Sequence, residues 1–155
     1  MARRNLLKLG EPLLRKKSKP VTNFDGRLGQ LLDDMAETMK AYEGMGLAAV
    51  QVGVLKRAYI VEADKKIYEI INPEIVKTNG ELIDVEGCLS VEGYRGIVAR
   101  PEKVTLNYFD RNGVAMTLDA EGYTARAFLH EYDHLDGVLF PDKMIRKATD
   151  EDVKE

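Results

Sequence analysis

An α+β domain, with antiparallel strands packed around a central helix and a second helix near the N-terminus, is predicted by three observations. Apolar residues recur at helical spacing in two stretches: Leu28, Leu31, Leu32, Met35, Met39 and Tyr42, and then the segment from about Tyr123 to Asp136. Between these stretches lie short apolar and β-branched runs separated by turn residues. The order is therefore helix, several antiparallel strands, helix.

Each element has its own signal. Asn23-Phe24-Asp25-Gly26 reads as a loop with a helix start near Asp25, and this helix stops before Gly44 and Gly46. Ala58–Val61 and Ile67–Ile71 read as strands joined by the polar turn Asp64-Lys65-Lys66, with Asn72-Pro73 ending the second. Glu81–Val85 and Val104–Tyr108 read as further strands. Asp110-Arg111-Asn112-Gly113 is a hairpin signal before the strand Ala115–Leu118. Gly137 stops the second helix, and the last residues form a short charged helix. The 155 residues fit one domain. A chain of this size buries roughly 70% of its unfolded surface, enough to fold without a staple. Residues 1–4 and 147–155 are expected to be flexible ends.

The net charge of −3 argues against a dedicated nucleic-acid binder. Residues 1–20 carry seven basic side chains and one acidic one, which suits a contact with a polyanion, a solvated arm, or neighbours for the acidic middle of the chain. No apolar run approaches the ~20 residues that span a bilayer. The first residues lack the apolar core of a signal peptide, so a cytoplasmic protein is expected.

A single cysteine excludes an internal disulfide, and there are only two histidines. His130-Glu131-Tyr132-Asp133-His134 is an H-E-x-x-H segment on the second helix. Positions i and i+4 share a helix face, so both imidazoles are able to bind one metal ion with Glu131 beside them as a base. Ala127 lies on the same side and leaves room above the metal, while Ala125, Phe128, Leu129 and Tyr132 form a core-facing side. The alternative is a pair of histidines hydrogen-bonded within a packed core.

A metal needs a third protein ligand. In the longer signature H-E-x-x-H-x-x-G-x-x-H, Gly137 is in place but Phe140 occupies the last ligand position. Glu151 and Glu155 are in reach by count, in a charged tail, and Cys88 remains, within Glu86-Gly87-Cys88-Leu89-Ser90. A lone cysteine is otherwise an inert buried residue. Gly44-Met45-Gly46-Leu47-Ala48-Ala49-Val50-Gln51 lacks the lysine of a phosphate-binding loop. Its glycines permit close backbone approach, and the Gln51 amide offers two donors to an oxyanion. It also reads as a tight connection with a surface glutamine.

Together the segments 44–51, 86–90 and 130–137, in that order, resemble the peptide deformylases. The resemblance implies an α+β fold and hydrolytic removal of formyl from the N-terminal formyl-methionine of new polypeptides, releasing formate. It implies a metal held by Cys88, His130 and His134, with Glu131 as base and the Gln51 amide and Leu89 N–H as oxyanion donors. Gly44, Met45, Gly46, Arg126 and Ala127 would border the methionine pocket, and Arg95 would lie near the substrate backbone. Ligand type alone reads as zinc; the family implies Fe2+, with Zn2+, Ni2+ or Co2+ able to substitute. The implied partners are formylated nascent N-termini and, transiently, the ribosome. Leu129 stands where the family usually has Gln, and Glu92 where Pro is frequent, so Val91–Arg95 is expected to be a more mobile loop. Glu86 and Asp133 are expected to support the ligands, with Arg100 as partner to one of them or in a surface salt bridge. Two other functions fit the residues: a zinc peptidase using a tail glutamate, and a non-catalytic formyl-peptide or metal-binding module.

Overall fold

A computed structural model describes residues 2–153. Helix α1 spans Gly26–Ala41, and its N-cap Asp25 accepts a hydrogen bond from the Leu28 N–H at 3.1 Å. Leu28, Leu31, Leu32, Met35 and Met39 are its buried face. Tyr42, expected to continue that stripe, instead follows the helix as its C-cap and is exposed. The reason is that Glu43 takes the left-handed conformation (φ 57°) and the Gly44 N–H reaches back to the Met39 carbonyl.

Among the described residues eight strands form two antiparallel sheets. They are β1 (Gly46–Ala48), β2 (Ala58–Ala63), β3 (Lys66–Asn79), β4 (Leu82–Cys88), β5 (Val91–Arg100), β6 (Lys103–Phe109), β7 (Ala115–Glu121) and β8 (Arg146–Lys147). The larger sheet has the order β1-β2-β3-β6-β7 and the smaller β4-β5-β8. Asp64 and Lys65 both adopt positive φ, the geometry of a two-residue hairpin whose twist matches the flanking strands. Helix α2 (Gly122–Leu135) follows β7 directly, and α3 (Asp150–Val153) is one short turn.

Three expectations are corrected. Asn72-Pro73 does not end a strand: β3 runs on to Asn79 through a register shift between Ile71 and Glu74. Asn72 tolerates the left-handed backbone there (φ 50°), and its side-chain amide exchanges two hydrogen bonds with the Val21 backbone. Pro73, lacking an N–H, thus sits at a bulge where the ladder is already broken. Val91–Arg95 is not a loop but the first half of β5. Its Gly93 and Gly96 hide the strand in the sequence; a Cβ on Gly96 would come within 2.9 Å of Phe140 and Met144. The glycine-rich turn likewise contains β1 and a 3-10 turn over Ala49–Val52.

At β2 the larger sheet is covered on both faces, which is why the sequence of that strand is a continuous apolar run. Tyr59 and Val61 point into a core shared with Phe128 of α2, while Ala58 and Ile60 point into one shared with Leu28, Met35 and Met39 of α1. The N-terminal arm lies against the body: the Ala2 N–H and the Arg4 guanidinium bond Asp34, and the Arg4 N–H bonds Thr38. At the other end of the chain Asp152 caps α3 through Thr149 and pairs with Arg146.

Candidate metal centre

His130 and His134 stand one helical turn apart on α2, with ring centroids 5.0 Å apart. Cys88 ends β4, where a register shift after Glu86 turns the strand toward α2. Its Sγ lies 3.3 Å from His134 Nε2. The donor atoms of Cys88, His130 and His134 all lie within 4.8 Å of one another. Among the described residues Glu151 is not part of this group, and Glu155 lies outside them. Phe140, at the would-be ligand position of the longer signature, is a buried apolar wall with its ring 6.5 Å from that of His130. Gly137 ends α2 in the left-handed region (φ 77°), and a Cβ there would fall 2.4 Å from the Arg15 carbonyl oxygen.

A polar cage holds the first histidine. Glu86 accepts from Arg100 at 2.9 and 2.6 Å, from Arg126 at 3.0 Å and from His130 Nδ1 at 2.5 Å. Arg100 also donates to Asp133 at 2.7 Å. Only 4% of Arg100 is exposed, so this is a buried bridge rather than a surface pair. Burial opposes charge on Glu86, but the hydrogen bonds from Arg100 and His130 outweigh it and hold the carboxyl well below the usual range. A proton fixed on His130 Nδ1 leaves Nε2 as the ligand atom. Burial works against charge on His130 too, yet Cys88 and Glu86 hold its pKa above the ordinary value; a metal bound at Nε2 would take the place of that proton. Burial pushes His134 well below its ordinary value, toward the neutral imidazole a metal requires. A thiol and two imidazoles at this spacing fit a divalent transition metal.

Glu131 sits beside this cluster with a different environment. It is buried, its Oε1 has no hydrogen-bond partner, and burial raises its pKa to about 7. Gly46 presses against it: a Cβ there would lie 2.6 Å from Glu131 Oε2. Gln51 is buried and not on the surface. Its Oε1 accepts from the Ala48 N–H at 2.9 Å, and its Nε2 faces Ser90 Oγ at 3.0 Å and Cys88 Sγ at 3.6 Å.

The cluster opens into a cleft of about 1000 Å3. Gly44, Met45, Gly46, Gln51, Leu89, Arg95, Arg126 and Ala127 all border it. A Cβ on Gly44 would fall 2.6 Å from the Leu89 side chain, so this glycine lets the first segment close on the second. Arg126 has a second duty that the sequence reading missed: its guanidinium is engaged by Glu86 and by the Leu82 carbonyl at 2.6 Å. Its i, i+4 spacing to His130 was the available signal. Tyr123, Asp152 and Val153 also line the cleft and were not anticipated. Leu129 is buried in the apolar core with Phe128, so an apolar residue suits its surroundings.

The model of the polypeptide deformylase family matches residues 3–150. The peptide deformylase of Caldicellulosiruptor bescii is 51% identical over 155 residues, covering 100% of this chain and 93% of that relative. That of Caldanaerobacter subterraneus subsp. tengcongensis is 49% identical over 154 residues, covering 99% of this chain and 97% of the relative. The crystal structure of peptide deformylase from Thermotoga maritima superposes with a TM-score of 0.91 at 37% identity, covering 93% of this chain and 99% of that one. The chain belongs to the polypeptide deformylase family, metal-binding hydrolases that remove the N-formyl group from newly made polypeptides.

Proposed function

We propose that this deformylase works with Fe2+ held by Cys88, His130 and His134, and that it acts in the cytoplasm on formyl-methionine N-termini as they leave the ribosome. The observation that carries the ligand assignment is the convergence of one thiol and two imidazoles within 4.8 Å beside a buried glutamate. Iron rests on the family resemblance, since the donor set alone suits zinc equally. The cytoplasmic and ribosomal assignments rest on where the substrate is made; no helix among the described residues is long and apolar enough to cross a membrane.

An ion held by Cys88, His130 and His134 would supply Lewis acidity toward a water and the formyl carbonyl. Glu131, with a pKa near 7, accepts the proton of the attacking water at one carboxylate oxygen and delivers it to the departing amine. The Gln51 amide and the Leu89 N–H donate to the oxygen on which charge develops. Gly44, Met45, Gly46, Arg126 and Ala127 border the side-chain pocket for methionine, and Arg95 lies toward the substrate backbone. Gly46 leaves the base and the formyl carbon room for close approach, which disfavours bulkier acyl groups.

Formate release from a formyl-Met tripeptide tests this reading, using protein loaded anaerobically with Fe2+ or with Zn2+, beside the Glu131→Gln variant. Turnover highest with Fe2+, and absent in a variant that still binds metal, is the expected result. Equal turnover with both ions would remove the assignment of iron.

A further inference from the structure

We propose that residues 7–9 act as a brace that sets the spacing between the two oxyanion donors, with the Leu9 N–H as its main tie. This rests on the assignment of Gln51 and Leu89 above. The Leu7 N–H donates to the Gln51 carbonyl at 2.8 Å, and the Leu9 N–H donates to the Ser90 carbonyl at 2.8 Å. Between them Lys8 Nζ reaches the Leu89 carbonyl at 3.4 Å and Glu92 at 3.1 Å. One three-residue stretch thus bonds both donor segments, Gln51 of the first and Leu89–Ser90 of the second. Ser90 is the knot, because its Oγ also receives the Gln51 amide.

The same strand of chain continues to the metal-bearing helix. Arg15 donates to the Gly137 carbonyl, and the Ser18 N–H donates to that of Leu135. The N-terminal segment is therefore an internal tie between all three motif segments, and Arg4, Lys8 and Arg15 face this chain's own carbonyls and carboxylates. Lys8 and Glu92 are a weak part of it, since their side chains are 40% and 73% exposed and such pairs contribute little. The main-chain bond from Leu9 ends on fully buried Ser90 and carries the register.

The backbone offers a clean way to cut it. The Glu11 N–H returns to the Lys8 carbonyl, and Gly10 has φ 108°, so Leu9 is the second residue of a turn with a left-handed third. That position favours Pro, which keeps the turn and deletes the donor. In Leu9→Pro, kcat for the formyl-Met tripeptide should fall about tenfold with KM within about twofold. Leu9→Ala, which keeps the N–H, should stay near wild type. Cobalt-loaded Leu9→Pro should retain the thiolate-to-cobalt absorption of wild type, which separates loss of the brace from loss of the ligand set. Amide exchange over residues 88–91 should quicken about tenfold in Leu9→Pro alone. This readout holds even if the wild type releases no formate, so the brace and the function reading fail separately. Unchanged exchange over 88–91, or kcat falling equally in Leu9→Ala, overturns the proposal. If Leu9→Pro does not fold, exchange in the wild-type protein decides: a Leu9 N–H protected as well as the amides of residues 88–91 supports the brace, and a Leu9 N–H that exchanges freely overturns it.

Discussion

Glu86 and Glu131 are buried carboxylates on the two sides of His130, and they have opposite fates. Glu86 receives hydrogen bonds from two arginines and a histidine and is held ionised far below the ordinary range. Glu131 has an oxygen with no partner and is raised to about 7. The side chains are identical, so environment alone divides the work. A fully satisfied carboxylate is a fixed anion that orients a ligand, and an under-satisfied one is poised to exchange a proton near neutrality.

The division is breakable from either side. Glu131→Gln removes the proposed proton acceptor and should lower kcat by about 10²–10⁴-fold, with metal content unchanged by elemental analysis. Glu86→Gln leaves Arg126 buried without an anion and Arg100 with Asp133 alone. Urea unfolding should show a loss of about 3–5 kcal/mol, and metal affinity should weaken about 10–100-fold. The metal-free protein offers a third test. Because the folded pKa of Glu131 lies above its ordinary 4.5, the folded state holds a proton that the unfolded chain has released. Stability from this group is therefore full below pH 4.5 and is lost as pH rises through 7, in total roughly 3 kcal/mol. The difference between wild type and Glu131→Gln in unfolding free energy, followed from pH 4 to 8, should show that slope; parallel curves would contradict it. Gly46→Ala places a methyl against Glu131 and should lower kcat about tenfold without loss of metal. The smallest effect belongs to Leu129→Gln, which sets an amide among apolar neighbours of the same helix. A loss of about 1 kcal/mol with no gain in rate is the expected outcome.

The helix that carries the proposed ligands and base was legible because its chemistry is local. His130, Glu131 and His134 are fixed relative to one another by helical spacing, and the need of a buried carboxylate for a cation pointed from Glu86 and Asp133 to Arg100. What escaped notice depends on distant partners. Arg126 is tied to Glu86 across two elements, β5 is a strand because β4 and β8 pair with it, and β3 passes Pro73 because Asn72 finds Val21. The basic N-terminus left a polyanion contact, a solvated arm and acidic neighbours all open for the same reason: Asp34 and the Gly137 carbonyl, which receive Arg4 and Arg15, lie far along the chain.

The close crossing of Arg15 over Gly137 bears on how protein sequences are scanned for function. A pattern that rewards a glycine three places after the second histidine would score this chain as two-thirds of the way to a different ligand set. Here that glycine answers to two unrelated demands, a left-handed helix ending and the passage of another stretch of backbone at 2.4 Å from where a side chain would begin. Either demand alone would select the same letter. Agreement between a sequence and a motif is thus informative only at positions where the motif's own chemistry is the sole force acting, and at Gly137 it is not.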